Sequence, residues 1–129
     1  MKRILFVCVA NSCRSQMAEA LARALGGDRV DAWSAGSHPS GAVHPTAAAS
    51  IARRGLSLAG HRSKGLDDLP AVRWNALVTM GCGDACPRVP AERRLDWQIP
   101  DPVGLTPREF DAVRDRIESQ VRELIASLE

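Results

Sequence analysis

Ile4-Leu5-Phe6-Val7-Cys8-Val9-Ala10-Asn11-Ser12-Cys13-Arg14-Ser15 decides the reading of this chain. Arg3 to Val7 is short, continuous, apolar and rich in β-formers, the pattern of a strand buried on both faces. From Ser15 to Leu25 the pattern changes. Met17, Ala18, Leu21, Ala22 and Leu25 recur at three- and four-residue spacing, as on one face of a helix, and Gly26-Gly27 stops it. Between the two lies a turn holding a cysteine, five residues, an arginine and a serine. A strand-to-helix turn gathers backbone N–H groups and the positive end of a helix around one spot, which suits a tetrahedral oxyanion. Arg14 adds a permanently charged planar fork. The same field favours the thiolate form of Cys8 and makes it a nucleophile. Residues Val9, Ala10, Asn11, Ser12, Cys13, Arg14 and Ser15 are thus the candidate oxyanion-binding set. Asn11 and Ser12 brace the loop. Ser15, read as the N-cap, is placed to donate its hydroxyl to Cys8.

The pattern continues outward from this turn. Arg29 to Ser34 reads as a second strand ending in Ala35-Gly36, and a Ser-, Gly- and Pro-rich loop follows. Pro45 opens a helix running to Arg54 and stopped by Gly55. Ser63 to Leu69 suggests a short helix, Asn75 to Met80 a third strand, and Arg94 to Gln98 a fourth. The last helix has the plainest signature. Thr106 caps it, Pro107 fills its first turn, Glu109 completes a capping box, and Phe110, Val113, Ile117, Val121, Leu124, Ile125 and Leu128 form one apolar stripe. Alternating strands and helices predict an α/β fold: a single domain over residues 1–129, with a parallel four-stranded sheet and helices on both faces. In a flavodoxin-like order strands one and three are neighbours, and ligands sit at the carboxyl ends of the strands. Cys8, Cys82 and Asp101 each follow a predicted strand, so the topology collects them on one edge.

Composition sets the outer bounds. A chain of 129 residues with 45% apolar and 25% charged residues builds one ordinary globular core. The net charge of +2 is spread out, with no basic block interleaved with aromatics, so nucleic acid is not an expected partner. No apolar stretch approaches the roughly 20 residues of a membrane span. Met1-Lys2-Arg3 before Ile4 to Ala10 resembles a very short signal peptide, but its removal would delete the first strand and Cys8. The expectation is therefore a cytoplasmic, reducing compartment, where four cysteines serve catalysis or metal binding rather than structural disulfides.

Cys82-Gly83-Asp84-Ala85-Cys86-Pro87 has two further cysteines four apart, within disulfide reach in a helical turn. A reversible disulfide, a zinc site shared with Cys8 and Cys13, and inert thiols are all open from spacing alone. Asp101, between Pro100 and Pro102, reads equally as a general acid or base and as a turn aspartate bonded to its own backbone. Cys13 reads as packing. His38, His44 and His61 match no metal motif, so no bound metal is expected. None of the three is assigned to catalysis, and His44 before Pro45 reads as a helix-entry residue. Glu19 and Ser34-Ala35-Gly36 are candidates to face the loop.

Taken together, Cys8-x5-Arg14-Ser15, Ser34-Ala35-Gly36, His61-Arg62-Ser63-Lys64, the Cys82/Cys86 pair and Asp101-Pro102 resemble the arsenate reductases built on the low-molecular-weight protein tyrosine phosphatase fold. The resemblance spans essentially the whole chain. Asn11 to Glu19 is of the reductase kind: the phosphatases usually carry an apolar residue at Ser12, a proline at Gln16 and tyrosines after the Asp-Pro, and this chain has no tyrosine. The resemblance implies that arsenate binds the loop and Cys8 attacks arsenic. Cys82 then attacks Cys8, and Cys86 attacks Cys82 to leave a Cys82–Cys86 disulfide. Arg14 neutralises the oxyanion and Asp101 protonates a leaving oxygen. It further implies no bound cofactor, a monomer, and an external thiol reductant: thioredoxin, or a low-molecular-weight thiol with a glutaredoxin-like protein. The best-known branch separates its relay cysteines by six residues and this chain by three, which leaves the reductant open. Some members bind potassium with a group including an aspartate near the position of Lys64, where an ammonium would replace the ion. The alternatives are a low-molecular-weight phosphatase, for which Cys8, Arg14 and Asp101 suffice, and a zinc-binding or redox-sensing module.

Overall fold

The structure is a computed structural model, and it describes residues 1–80 and 89–129. Strands β1 (Lys2–Cys8), β2 (Val30–Gly36), β3 (Trp74–Thr79) and β4 (Ala91–Asp96) form one parallel sheet in the order β2-β1-β3-β4. Helices α1 (Arg14–Gly26), α2 (Pro45–Arg53) and α3 (Pro107–Leu128) complete the described elements, with 3-10 turns at Gly27–Arg29 and Leu66–Asp68. The neighbouring β1 and β3 are the pair anticipated from a flavodoxin-like order. Residues Ile4 to Cys8 are buried, as a central strand covered on both sides requires.

Side chains alternate across β1, so the two faces can be read separately. Ile4, Phe6 and Cys8 join Met17 and Leu21 of α1, Ala47 and Ile51 of α2, and the apolar stripe of α3 in one large core. Leu5 and Val7 join Ala35, Trp74 and Leu77 in a smaller one. All three α-helices serve the first core. Among the described residues the second face is covered by Leu66, Leu69 and Val72, around a 3-10 turn, and not by an α-helix. The helix predicted over Ser63 to Leu69 shrinks to that turn because its start is claimed by the sheet: Gly36 N–H donates to Lys64 O (2.9 Å), and Gly65 bridges to Gly36. The fourth strand also begins three residues earlier than predicted. Trp97 lies past the strand end, its N–H on Thr79 O (2.8 Å) and its ring tilted against Phe6 at 5.9 Å. None of the described helices is long and apolar enough to cross a membrane.

The α2–α3 seam is ionic. Asp111 accepts from Ser50 Oγ (2.6 Å) and from Arg53 Nε and Nη2 (2.8 and 2.6 Å), while Arg54 grips Glu118 through two contacts (2.7 and 2.9 Å). The Arg53 guanidinium, then Ser50, hold the Asp111 carboxyl down to about 2 from its ordinary 3.8. A carboxyl lowered on folding stabilises the protein above its unfolded value and loses that contribution as pH falls through the folded one. Thermal melts of the wild type should therefore drop steeply between pH 4 and pH 2, and those of Asp111→Asn less steeply. Parallel slopes would remove the seam from the acid response.

Candidate active site

Cys8 ends β1, opposite Gly36 of β2, and is buried. The chain then turns through residues 9–13 into α1, which begins at Arg14 with Cys13 at its N-cap. Ser15 is therefore inside the first turn and not the N-cap expected from sequence. The physical reason is that its hydroxyl is engaged elsewhere, 2.8 Å from Cys8 Sγ and 2.9 Å from Asn11 Nδ2.

Loop carbonyls are held from outside. Val9 O accepts from His38 N–H (2.8 Å), Ala10 O from Ser40 N–H (3.0 Å) and Ser63 Oγ (2.9 Å), and Ser12 O from His44 N–H (2.8 Å). In a planar trans peptide the following N–H points opposite to the carbonyl. The N–H groups of Ala10, Asn11 and Cys13 therefore face away from the 38–44 strap. Together with the α1 N-terminus they have the geometry that suits an anion cradle. Asn11 is the one described non-glycine residue with a left-handed backbone, at φ 48°, and such a turn is what lets successive N–H groups converge. Close approach also explains Ser34-Ala35-Gly36: a Cβ on Gly36 would stand 2.5 Å from Val9 O and 2.9 Å from Asn11 N.

The direction of the hydrogen bonds at Cys8 follows from backbone groups. Lys64 N–H donates to Asn11 Oδ1 (2.8 Å), so the Asn11 amide must present Nδ2 to Ser15 Oγ. Ser15 accepts there and keeps its own hydrogen for Cys8 Sγ at 2.8 Å, where either atom can be the donor and only the hydroxyl can be once Cys8 is a thiolate. Arg14 Nη1 donates to Ile99 O (3.0 Å), which ties the cradle to the segment leading into Asp101 and leaves further guanidinium donors for an oxyanion. Asp101 is exposed, and its Oδ1 accepts from Val103 N–H (3.1 Å), the turn-aspartate geometry. Its charge nevertheless reaches the loop. Burial first, then the charges of Cys8 and Asp101, push the Cys13 thiol up to about 12 against the opposing pull of Arg14. Cys13 is therefore a neutral packing group at ordinary pH. Cys82 and Cys86, the remaining predicted site residues, lie outside the described residues.

Behind the cradle sits a buried polar cluster that sequence reading reached only in part. Glu19 accepts from Ser34 Oγ (2.8 Å) and faces Arg23 (3.3 Å), His61 (3.3 Å) and Lys64 (3.5 Å). Glu19 and Ser34 thus support the loop from behind, through Lys64. His61 was assigned no role, yet it contacts both Glu19 and Gln16. Its imidazole is lowered by burial, with Glu19 opposing. The available signal was polar Gln16 and Glu19, three apart on one face of an otherwise Ala- and Leu-rich helix.

The profile of the family described as low molecular weight phosphotyrosine protein phosphatase matches residues 3–129. A glutaredoxin arsenate reductase of Synechocystis sp. is 37% identical over 131 residues, spanning 99% of each chain. A solved arsenate reductase in its phosphate-binding state superposes with a TM-score of 0.89 at 36% identity, covering all of both chains. The thioredoxin-dependent arsenate reductase of Corynebacterium glutamicum gives a TM-score of 0.80 at 32% identity, over 99% of this chain and 62% of its own. A cysteine at the carboxyl end of the first strand, an outward-carbonyl loop and an arginine on the first helical turn, on a sheet that superposes along its whole length, leave one assignment: the chain belongs to the low molecular weight phosphotyrosine protein phosphatase family.

Proposed function

We propose that this protein is an arsenate reductase in which Cys8 is the nucleophile. The observation that carries the reading is the Ser15 hydroxyl 2.8 Å from Cys8 Sγ, beside a loop completed by Arg14. The similarity to whole-length arsenate reductases selects arsenate among tetrahedral oxyanions.

In the proposed cycle the Cys8 thiolate attacks arsenic(V), forming an S–As bond as a protonated oxygen leaves as water, with Asp101 as the acid. Cys82 attacks Cys8 Sγ. The S–As bond breaks, its electron pair reduces arsenic to the trivalent state, arsenite leaves, and a Cys8–Cys82 disulfide forms. Cys86 then attacks Cys82, freeing Cys8 as thiolate and leaving a Cys82–Cys86 disulfide. An external dithiol protein supplies the two electrons that reopen it. Each exchange depends on thiolate character and access. Thioredoxin and a glutaredoxin-like protein are the two candidate donors, in line with the donors named in the relatives.

Arsenate-dependent NADPH oxidation, coupled separately to thioredoxin and glutaredoxin systems, tests the function. Wild type should turn over with one of the two, and Cys82→Ser and Cys86→Ser should lose multiple turnover. Full activity of Cys82→Ser would refute the relay. The phosphatase reading is supported by the family itself, since Cys8, Arg14 and Asp101 suffice for phosphoryl transfer through a cysteinyl phosphate. Slow hydrolysis of p-nitrophenyl phosphate that survives Cys82→Ser would show it as a side activity, while hydrolysis without arsenate turnover would make it the main one.

Potassium, used by some relatives, does not fit the residues here. Lys64 Nζ stands 3.5 Å from Glu19 Oε1 and 3.4 Å from Ser34 Oγ, so an ammonium already serves the oxygens a cation would need. Exchanging potassium for sodium at constant ionic strength should leave kcat/KM unchanged, and a severalfold loss would contradict this.

A further inference from the structure

Gln16 is fully buried, and every one of its bonds has a determined direction. Its Nε2 lies 3.1 Å from Asn11 O and 2.9 Å from Arg62 O, both backbone carbonyls, so this end of the amide must be the donor. The same nitrogen also reaches Asn11 Oδ1 at 3.0 Å, so the two Asn11 oxygens share one of its two hydrogens. Its Oε1 therefore faces His61 Nδ1 at 3.0 Å, and that nitrogen must carry a hydrogen. With the bonds already described at Asn11 and Ser15, and with Cys8 as a thiolate, the donors all run one way: His61 Nδ1 to Gln16 Oε1, Gln16 Nε2 to Asn11 Oδ1, Asn11 Nδ2 to Ser15 Oγ, Ser15 Oγ to Cys8 Sγ. Bonds in such a chain polarise one another, and in a buried setting the effect is not screened by water.

We propose that Gln16 is a positioning residue: it links His61 to the cradle and, together with the Lys64 N–H, holds the polarity of a hydrogen-bond relay that ends on the Cys8 thiolate. The proposal rests on Cys8 being the reactive thiol. Gln16 does not touch the oxyanion. It holds Asn11 in its left-handed turn from two sides and orients the Asn11 amide, and through that amide the Ser15 hydroxyl. An apolar residue at this position could fill the space, but it would leave Asn11 Oδ1 to the Lys64 N–H alone and cut the link to His61. The surrounding charges stay in place when Gln16 is changed: Arg14, Asp101 and the Cys13 thiol at the loop, Glu19 and Arg23 from α1, and Arg62 and Lys64 beside His61.

The test is the rate at which iodoacetamide alkylates Cys8 in the reduced full-length protein, read by peptide mass spectrometry between pH 6 and pH 10. Gln16→Met keeps the length and removes both amide groups. Its Cys8 alkylation should fall on the order of tenfold at pH 7, the size of one hydrogen bond to a charged group, and match wild type at pH 10. Gln16→Glu keeps the acceptor and loses the donors, and should slow in the same pH-dependent way. A profile identical to wild type would overturn the proposal. So would equal slowing at every pH, which marks a merely structural role. A second measurement needs no variant: nitrogen-15 NMR of the wild-type imidazole should show His61 Nδ1 protonated when neutral, and a bare Nδ1 would overturn the relay's direction. Alkylation uses no arsenate, so pH-dependent slowing in a protein without arsenate turnover would support the relay and refute only the arsenate reading.

Discussion

Cys8→Ser should abolish arsenate reduction, with kcat/KM down roughly 10⁴-fold or more, as when the nucleophile of a covalent mechanism is removed. A serine hydroxyl in the same place is neither a thiolate nor able to enter disulfide exchange, so every later step is lost with the first. The cradle should survive. Its N–H groups are aimed by loop carbonyls tied on the far side to His38, Ser40, His44 and Ser63, and none of these bonds involves the cysteine sulfur. Phosphate should therefore bind Cys8→Ser within a few fold of wild type by calorimetry. A variant that failed to bind phosphate would show the sulfur to be structural, and one that still reduced arsenate would place the nucleophile elsewhere.

Arg14→Lys should produce the second large loss, about 10²- to 10³-fold in kcat/KM, the range seen when one charge-stabilising donor is removed from an anion site. The charge remains, but a lysine cannot present a planar fork to two oxyanion oxygens. Its one nitrogen must also be shared between Ile99 O and the oxyanion, where the guanidinium has a separate nitrogen for each. Phosphate affinity should fall with activity in Arg14→Lys, in contrast to Cys8→Ser. Loss of turnover with unchanged phosphate binding would contradict the role given to the guanidinium.

The parts of the fold that were legible in sequence are those decided locally. The apolar run through Val7, the capping box at Thr106 and Glu109, and His44 ahead of Pro45 are all local signals, and the structure shows each in place. Strand β4 was less legible because it is an exposed edge: its pattern is set by Glu92, Arg93 and Arg94 facing solvent, while apolar Trp97 belongs to the turn after it. The Ser63 to Leu69 segment looks helical alone and is extended at its start because it pairs with β2. At the site, the Cys8–Ser15 contact follows from a seven-residue turn and could be anticipated. Gln16 and His61 could not be assigned, since their meaning arises from a contact across 45 residues. Asp101 stays balanced between its two readings, bonded to its own turn yet acting on the Cys13 thiol of the loop.

Single turnover tests the central claim most directly. Fully reduced protein, freed of external thiol, would be given one equivalent of arsenate, quenched with an alkylating agent, and analysed for arsenite and by peptide mass spectrometry. The account predicts one arsenite per chain, a disulfide joining Cys82 to Cys86, and Cys8 recovered alkylated. Arsenite released without that disulfide, or no arsenite from a protein whose Cys8 remains reactive, would contradict it.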